Sequence, residues 1–220
     1  YGWLLSDSAA MLSSLTDSLL DVFASIMNFV ILRYALMPAD DDHRFGHGKA
    51  ESLAGLVQAS FILGSSVLLL LHGVSRTMTP KVVENSEIAI GVTIFAFCLT
   101  LGLVTFQRFI INKTQSVAIS ADSLHYQSDL LLNAGVLAAL LFSQYLWLGA
   151  DGLFTVLVGF YLAYGAIKIA MTSVHHLMDK ELSLAQQQQI VEVANKHPSV
   201  HGIHDLRTRQ SGVTKFVQFH

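Results

Sequence analysis

Charged residues are scarce in this sequence: they make up 13% of its 220 residues, where soluble chains carry about 25%. So little charge excludes an ordinary soluble surface, and 52% hydrophobic residues with a mean hydropathy of +0.51 point to a membrane protein. Base is not in excess either. The net charge of −3 argues against a nucleic-acid binder. The single cysteine, Cys98, excludes an intrachain disulfide, and its place in an apolar run is explained by packing or lipid contact. No GxxxxGKS/T loop occurs, which leaves no nucleotide as energy source, and no HExxH pattern occurs. A signal peptide is also missing from the start. Residue 1 begins mid-pattern, with Tyr1-Gly2-Trp3 resembling the interfacial end of a preceding helix. His220 falls inside an alternating strand, so both ends read as truncations.

What is present is a set of long apolar runs. Five, at about 8–37, 50–75, 86–111, 117–148 and 151–175, are long enough to span a bilayer. Alternate loops are richer in base: Arg33, Arg44 and Lys49, then Arg108 and Lys113, then Lys168 and Lys180, against Arg76 and Lys81 between them. The positive-inside rule makes the richer loops cytoplasmic and puts residue 1 outside, so a missing first helix would complete six spans. From Leu182 the composition changes. Ser183 can cap a helix running to about Lys196, which Pro198 ends. Residues 203–209 and 214–220 then read as two strands around Ser211-Gly212. The expected fold is an all-α polytopic membrane domain over residues 1–180, followed over 181–220 by the start of a small α/β cytoplasmic domain.

Polar residues inside the apolar runs carry the chemistry. Asp17 and Asp21 stand four residues apart in the first run, and His125 and Asp129 repeat that spacing in the fourth. Helical geometry puts each pair on one face. A carboxylate at the centre of a membrane helix costs about 2.5–3.5 kcal/mol on insertion scales, so such residues mark function. Three oxygen donors and one nitrogen suit a tetrahedral divalent ion, with zinc the natural guest and iron(II), cobalt or cadmium also admissible. Without a thiolate, copper(I) is not selected, while magnesium and calcium would take more oxygens. A proton relay, or a polar cluster holding helices together, are the other readings of the same residues. Metal binding needs deprotonated ligands, so each ion taken up releases protons, and a site alternating between the two fillings is an antiporter.

Two weaker sets accompany it. Asp40, His43 and His47 lie at three- and four-residue spacing in the first long loop, which reads equally as a metal site or a solvated charged loop. His204 and His220, one on each expected strand, could share a metal, although two ligands do not complete a site and surface histidines account for them as well.

Taken together, Asp17-Ser-Leu-Leu-Asp21, Phe45-Gly-His-Gly-Lys-Ala-Glu51, His125-Tyr-Gln-Ser-Asp129 and His204-Asp-Leu-Arg-Thr-Arg-Gln-Ser-Gly212 resemble the cation diffusion facilitator family, most of all its bacterial zinc/proton antiporters. The resemblance covers essentially the whole chain. It implies six transmembrane helices, the first largely absent here, and a metallochaperone-like cytoplasmic domain in a homodimer of the bacterial inner membrane. It implies a transporter rather than an enzyme, with zinc both carried and structural, iron(II) or cadmium as further cargo, and protons as counter-substrate. Asp17, Asp21, His125 and Asp129 then match the transport site, and Asp40, His43 and His47 the loop site. His204 and His220 match part of a binuclear cytoplasmic site whose other ligands would follow His220. Lys49 and Asp179 match a charge interlock between protomers. The rival classes are a membrane-embedded zinc metalloenzyme, for which the four ligands leave no open position, and a metal-gated channel or sensor.

Overall fold

The computed structural model describes residues 22–23, 25–79, 87–141, 150–198, 200 and 202–220. Asp17 and Asp21, with half of the first expected span, lie outside them. Five apolar or polar-striped helices come first: α1 (Ser25–Ala35), α2 (Lys49–Met78), α3 (Glu87–Thr114), α4 (Val117–Leu141) and α5 (Ala150–Leu177). A short helix, α6 (Leu184–Asn195), and a hairpin of β1 (Arg207–Ser211) and β2 (Thr214–Gln218) follow. Among the described residues, three stretches are long and apolar enough to cross a membrane: Lys49–Met78, Ile94–Thr114 and Gly152–Leu177. Helix α4 is not among them, because its first half carries the polar stripe described below.

The apolar surface of these helices turns outward. At most 28% of each membrane-length stretch is buried inside the protein, and Phe61, Leu68, Phe106 and Tyr164 are exposed. In water that pattern would not be stable, whereas hydrocarbon solvates it at no cost. Inside, the helices meet through small side chains. The largest completely buried side chains among the described residues are Ser52, Ser66, Ser123 and Ser173, as expected where van der Waals packing rather than water exclusion holds helices together. Helices α2 and α5 make by far the most extensive contact. Near one end they cross at glycines: a Cβ on Gly152 would lie 2.4 Å from the backbone nitrogen of Thr77, and one on Gly73 2.9 Å from that of Val156. Helix α4 packs against α2, α3 and α5, and Ile62, Leu124, Val158, Leu162 and Ala166 form the core between α2, α4 and α5.

Local chemistry sets the helix ends. The first turn of α4 is capped twice: Ser116 Oγ accepts from Ile119 N at 3.2 Å, and the buried Glu51 carboxylate of α2 accepts from Val117 N at 3.0 Å. These bonds satisfy two amides that the helix itself cannot. At the far end of α5, Asp179 adopts a left-handed conformation (φ 55°) and Lys180 N bonds to His175 O at 2.9 Å. Aspartate tolerates that conformation better than most residues. Ser183 caps α6 through Gln186 N, as its sequence position predicts.

The strands are shorter and shifted relative to expectation, beginning at Arg207 rather than residue 203 and ending at Gln218 rather than His220. The pairing nevertheless continues beyond them. Arg207 faces Gln218, and His204 and His220 exchange backbone hydrogen bonds of 2.7 and 2.9 Å. Two residues, Asp205 and Leu206, therefore oppose Phe219 alone. This is a β-bulge, with Asp205 at φ 52° as the irregular residue.

Candidate metal sites

On α4, His125 and Asp129 stand one turn apart with His125 Nε2 3.9 Å from Asp129 Oδ2, both side chains about four-tenths exposed. Helical spacing alone accounts for their meeting. The next residue, Tyr126, reaches a different helix: its hydroxyl lies 3.2 Å from Ser25 Oγ on α1. The polar face of α4 thus looks toward the chain that follows Asp21.

The same face holds a residue that the paired-motif reading passed over. Asp122 precedes His125 by three positions and accepts from Gln107 Nε2 of α3 at 2.7 Å and Gln58 Nε2 of α2 at 3.4 Å. Its i, i+3, i+7 relation to His125 and Asp129 was the available signal. Further along, Gln127 Oε1 accepts from Tyr161 OH of α5 at 2.6 Å and, more weakly, from Arg108 of α3 at 3.4 Å. Polar side chains on different faces of α4 therefore bind it to α1, α2, α3 and α5.

The loop between α1 and α2 gathers Asp40, His43 and His47. One donor atom from each lies within 4.8 Å of the other two. Asp40 Oδ1 is 3.3 Å from His43 Nδ1, and Oδ2 is 3.4 Å from His47 Nε2. The His43 backbone N–H, donating to Asp40 Oδ1 at 2.6 Å, holds that carboxyl below its usual range against the opposing effect of desolvation, so it is ionised at neutral pH. His47 is buried under Tyr34, ring centroids 4.6 Å apart, and its Nδ1 has no hydrogen-bond partner among the described residues. Two imidazoles and a carboxylate in this arrangement fit a zinc-like ion with an open fourth position.

This loop is fastened to the hairpin. Lys49 Nζ, at the start of α2, donates to Asp179 Oδ2 at 3.0 Å and to Leu177 O at 3.3 Å. Arg209 of β1 lies 3.4 Å from the same Oδ2, with its guanidinium over the rings of Phe45 (4.4 Å) and Phe216 (5.1 Å). Burial raises the Asp179 pKa, but the Lys49 hydrogen bond and charge, then Arg209, outweigh it and leave the carboxyl below its ordinary value of 3.8. Backbone contact completes the joint, since a Cβ on Gly48 would sit 2.5 Å from Ser211 O. Lys49 and Asp179, matched by resemblance to an interlock between protomers, here meet within one chain. Arg209, Phe45 and Glu51 went unnoticed as partners in the sequence, because their contacts join elements far apart along the chain.

His204 and His220 occupy one hydrogen-bonded cross-strand position, which projects their side chains from the same face of the ribbon.

These features define a polytopic membrane protein with polar, metal-competent residues inside its helical part and a small α/β segment docked at one end. The family described as the cation efflux transmembrane domain matches residues 1–178, and the cation efflux protein cytoplasmic domain matches residues 182–220. A cation-efflux pump FieF from Shewanella oneidensis is 52% identical over 218 residues, covering 99% of this chain and 74% of that protein. Cation-efflux pumps FieF from Salmonella arizonae and Salmonella newport are each 46% identical over 220 residues, covering 100% of this chain and 73% of theirs. The chain belongs to the cation efflux, or cation diffusion facilitator, family.

Proposed function

We propose that the protein exports a divalent metal cation from the bacterial cytosol across the inner membrane in exchange for protons. Zinc is the preferred cargo, with iron(II) and cadmium as further substrates, and the working unit is a homodimer. Residues 1–180 form the membrane domain, and residues 181–220 begin the cytoplasmic one. Relatives named as cation-efflux pumps support the direction of transport, and the matching cytoplasmic domain supports dimerisation.

The observation that carries the assignment of the transport site is the pairing of His125 with Asp129 beside the Tyr126–Ser25 contact. Asp17 and Asp21, which lie outside the described residues, supply the other two ligands in this reading, as the spacing of their motif in the first span suggests. Four donors from two helices then hold the ion as their protons leave. Relative movement of the helices opens the site to the other side, where protons displace the metal. Asp40, His43 and His47 bind a second ion at the cytoplasmic rim. His204 and His220 give part of a third site, and the Lys49–Asp179 pair steadies the joint where the protomers are held in register.

The full-length protein in sealed vesicles loaded with a zinc dye and a pH dye tests this reading. A pH step should drive zinc one way and protons the other, and Asp129→Ala should abolish both. Zinc flux indifferent to the proton gradient would replace the antiporter with a channel.

A further inference from the structure

Asp122 belongs to none of the metal sets above. It lies between three helices, and both groups the structure places on its oxygens are neutral amides, Gln107 on α3 and Gln58 on α2. Among the described residues it forms no ion pair, and an acid without one inside a membrane domain is costly, which marks it as a candidate for function. Its two bonds differ in length: 2.7 Å to Gln107 and 3.4 Å to Gln58. They also differ in what they join. Gln107 lies on the helix that runs directly into α4, whereas Gln58 lies on α2, which the Gly73–Gly152 crossing locks to α5. The long bond therefore spans from α4 to the α2–α5 pair. Gln107 is 7% exposed, yet its Oε1 has no hydrogen-bond partner among the described residues. A buried acceptor left unmade is costly, and a shift of α3 or α4 that brought a donor to it would relieve that cost.

We propose that Asp122 is a positioning residue for metal transport, seating α4 against the α2–α5 pair through Gln58 and releasing that bond, while keeping Gln107, when α4 moves. The proposal rests on the transport reading above. His125 is one turn further along α4, so the seating of Asp122 sets how the metal ligand is presented. The bond to Gln58 breaks as α4 moves away and reforms as it returns, so its contribution to the rate lies in the return step, where it draws α4 back to its seat.

The test uses the full-length protein reconstituted in vesicles, with zinc flux recorded against zinc concentration, and zinc affinity measured on the same purified proteins. Asp122→Asn and Gln58→Leu should each lower the maximal rate about tenfold, the effect of one hydrogen bond to a charged group. The half-saturating concentration and the measured affinity should stay within about threefold, as for an interaction used in the moving step and not in binding. Asp122→Glu, which keeps the acid, should recover most of the rate. A wild-type rate in Asp122→Asn would overturn the proposal, as would a loss of affinity equal to the loss of rate, which would make Asp122 a ligand or a purely structural group. If Asp122→Asn does not fold, Gln58→Leu decides alone, since it leaves the acid in place. Absence of zinc flux in the wild type would overturn the transport reading and this proposal together, whereas wild-type flux with indifferent variants overturns only this one.

Discussion

On α4 the candidate ligands His125 and Asp129 are neighbours because one helix carries both, and their separation follows from four residues of backbone. Where the hairpin docks on the helices, Asp179 is reached by Lys49 from the start of α2 and by Arg209 from β1, with Phe45 of the loop stacked beneath that arginine. The first arrangement is local and survives small shifts of its surroundings. The second exists only while three distant segments remain docked. A local site can travel with its helix through a transport cycle without being taken apart, whereas a joint assembled from several elements reports whether those elements are in place.

The largest effect should separate the two regions. His125→Ala or Asp129→Ala should reduce zinc flux by roughly a hundredfold or more, in line with a lost ligand, and leave the melting temperature nearly unchanged, because neither side chain is buried in the core. Vesicle flux and thermal unfolding of the same preparations check this. The joint should respond the other way. Gly48→Ala places a methyl group 2.5 Å from Ser211 O, forcing the loop and hairpin apart at a cost of about 1–3 kcal/mol. Protease sensitivity of the hairpin should rise while zinc binding to the membrane site persists.

A smaller loss is expected from Asp179→Asn, about 1 kcal/mol or less for a partly exposed ion-pair cluster. Its pH dependence has a definite sign. Because Lys49 and Arg209 hold the folded-state pKa below 3.8, the contribution is full above the unfolded value and lost as pH falls through the folded one. The difference in melting temperature between wild type and Asp179→Asn should thus be constant from neutral pH to about pH 5 and vanish in stronger acid. Smallest of all is Ser183→Ala. The cap bond from Gln186 N is long at 3.4 Å, and its loss should cost about 0.5 kcal/mol, visible as fraying of α6 in hydrogen exchange and nowhere else.

The same contrast explains what could be read in advance. Membrane helices announce themselves by length and apolarity, and α2 and α5 begin and end within three residues of the expected runs. The i, i+4 pair on α4 and the three-plus-four spacing of Asp40, His43 and His47 carry their geometry in the sequence. Ser183 as a cap and Ser211-Gly212 as a turn are similarly local signals. The strand boundaries were less legible, since the bulge at Asp205 depends on cross-strand pairing and not on strand propensity. Asp122 with its two glutamines, and Arg209 stacked on Phe45, depend on how helices and hairpin pack in space. No periodicity within one segment reveals such pairs.

The central claim is that an ion is held inside the membrane domain by Asp17, Asp21, His125 and Asp129. The most direct measurement is zinc-edge X-ray absorption on the full-length protein carrying His43→Ala, His47→Ala, His204→Ala and His220→Ala, which leaves the membrane site as the proposed binding site. The account predicts one bound zinc per chain with a single imidazole and otherwise carboxylate oxygens in its first coordination shell, lost on His125→Ala. No bound zinc, or a shell with two or more imidazoles that survives His125→Ala, would contradict it.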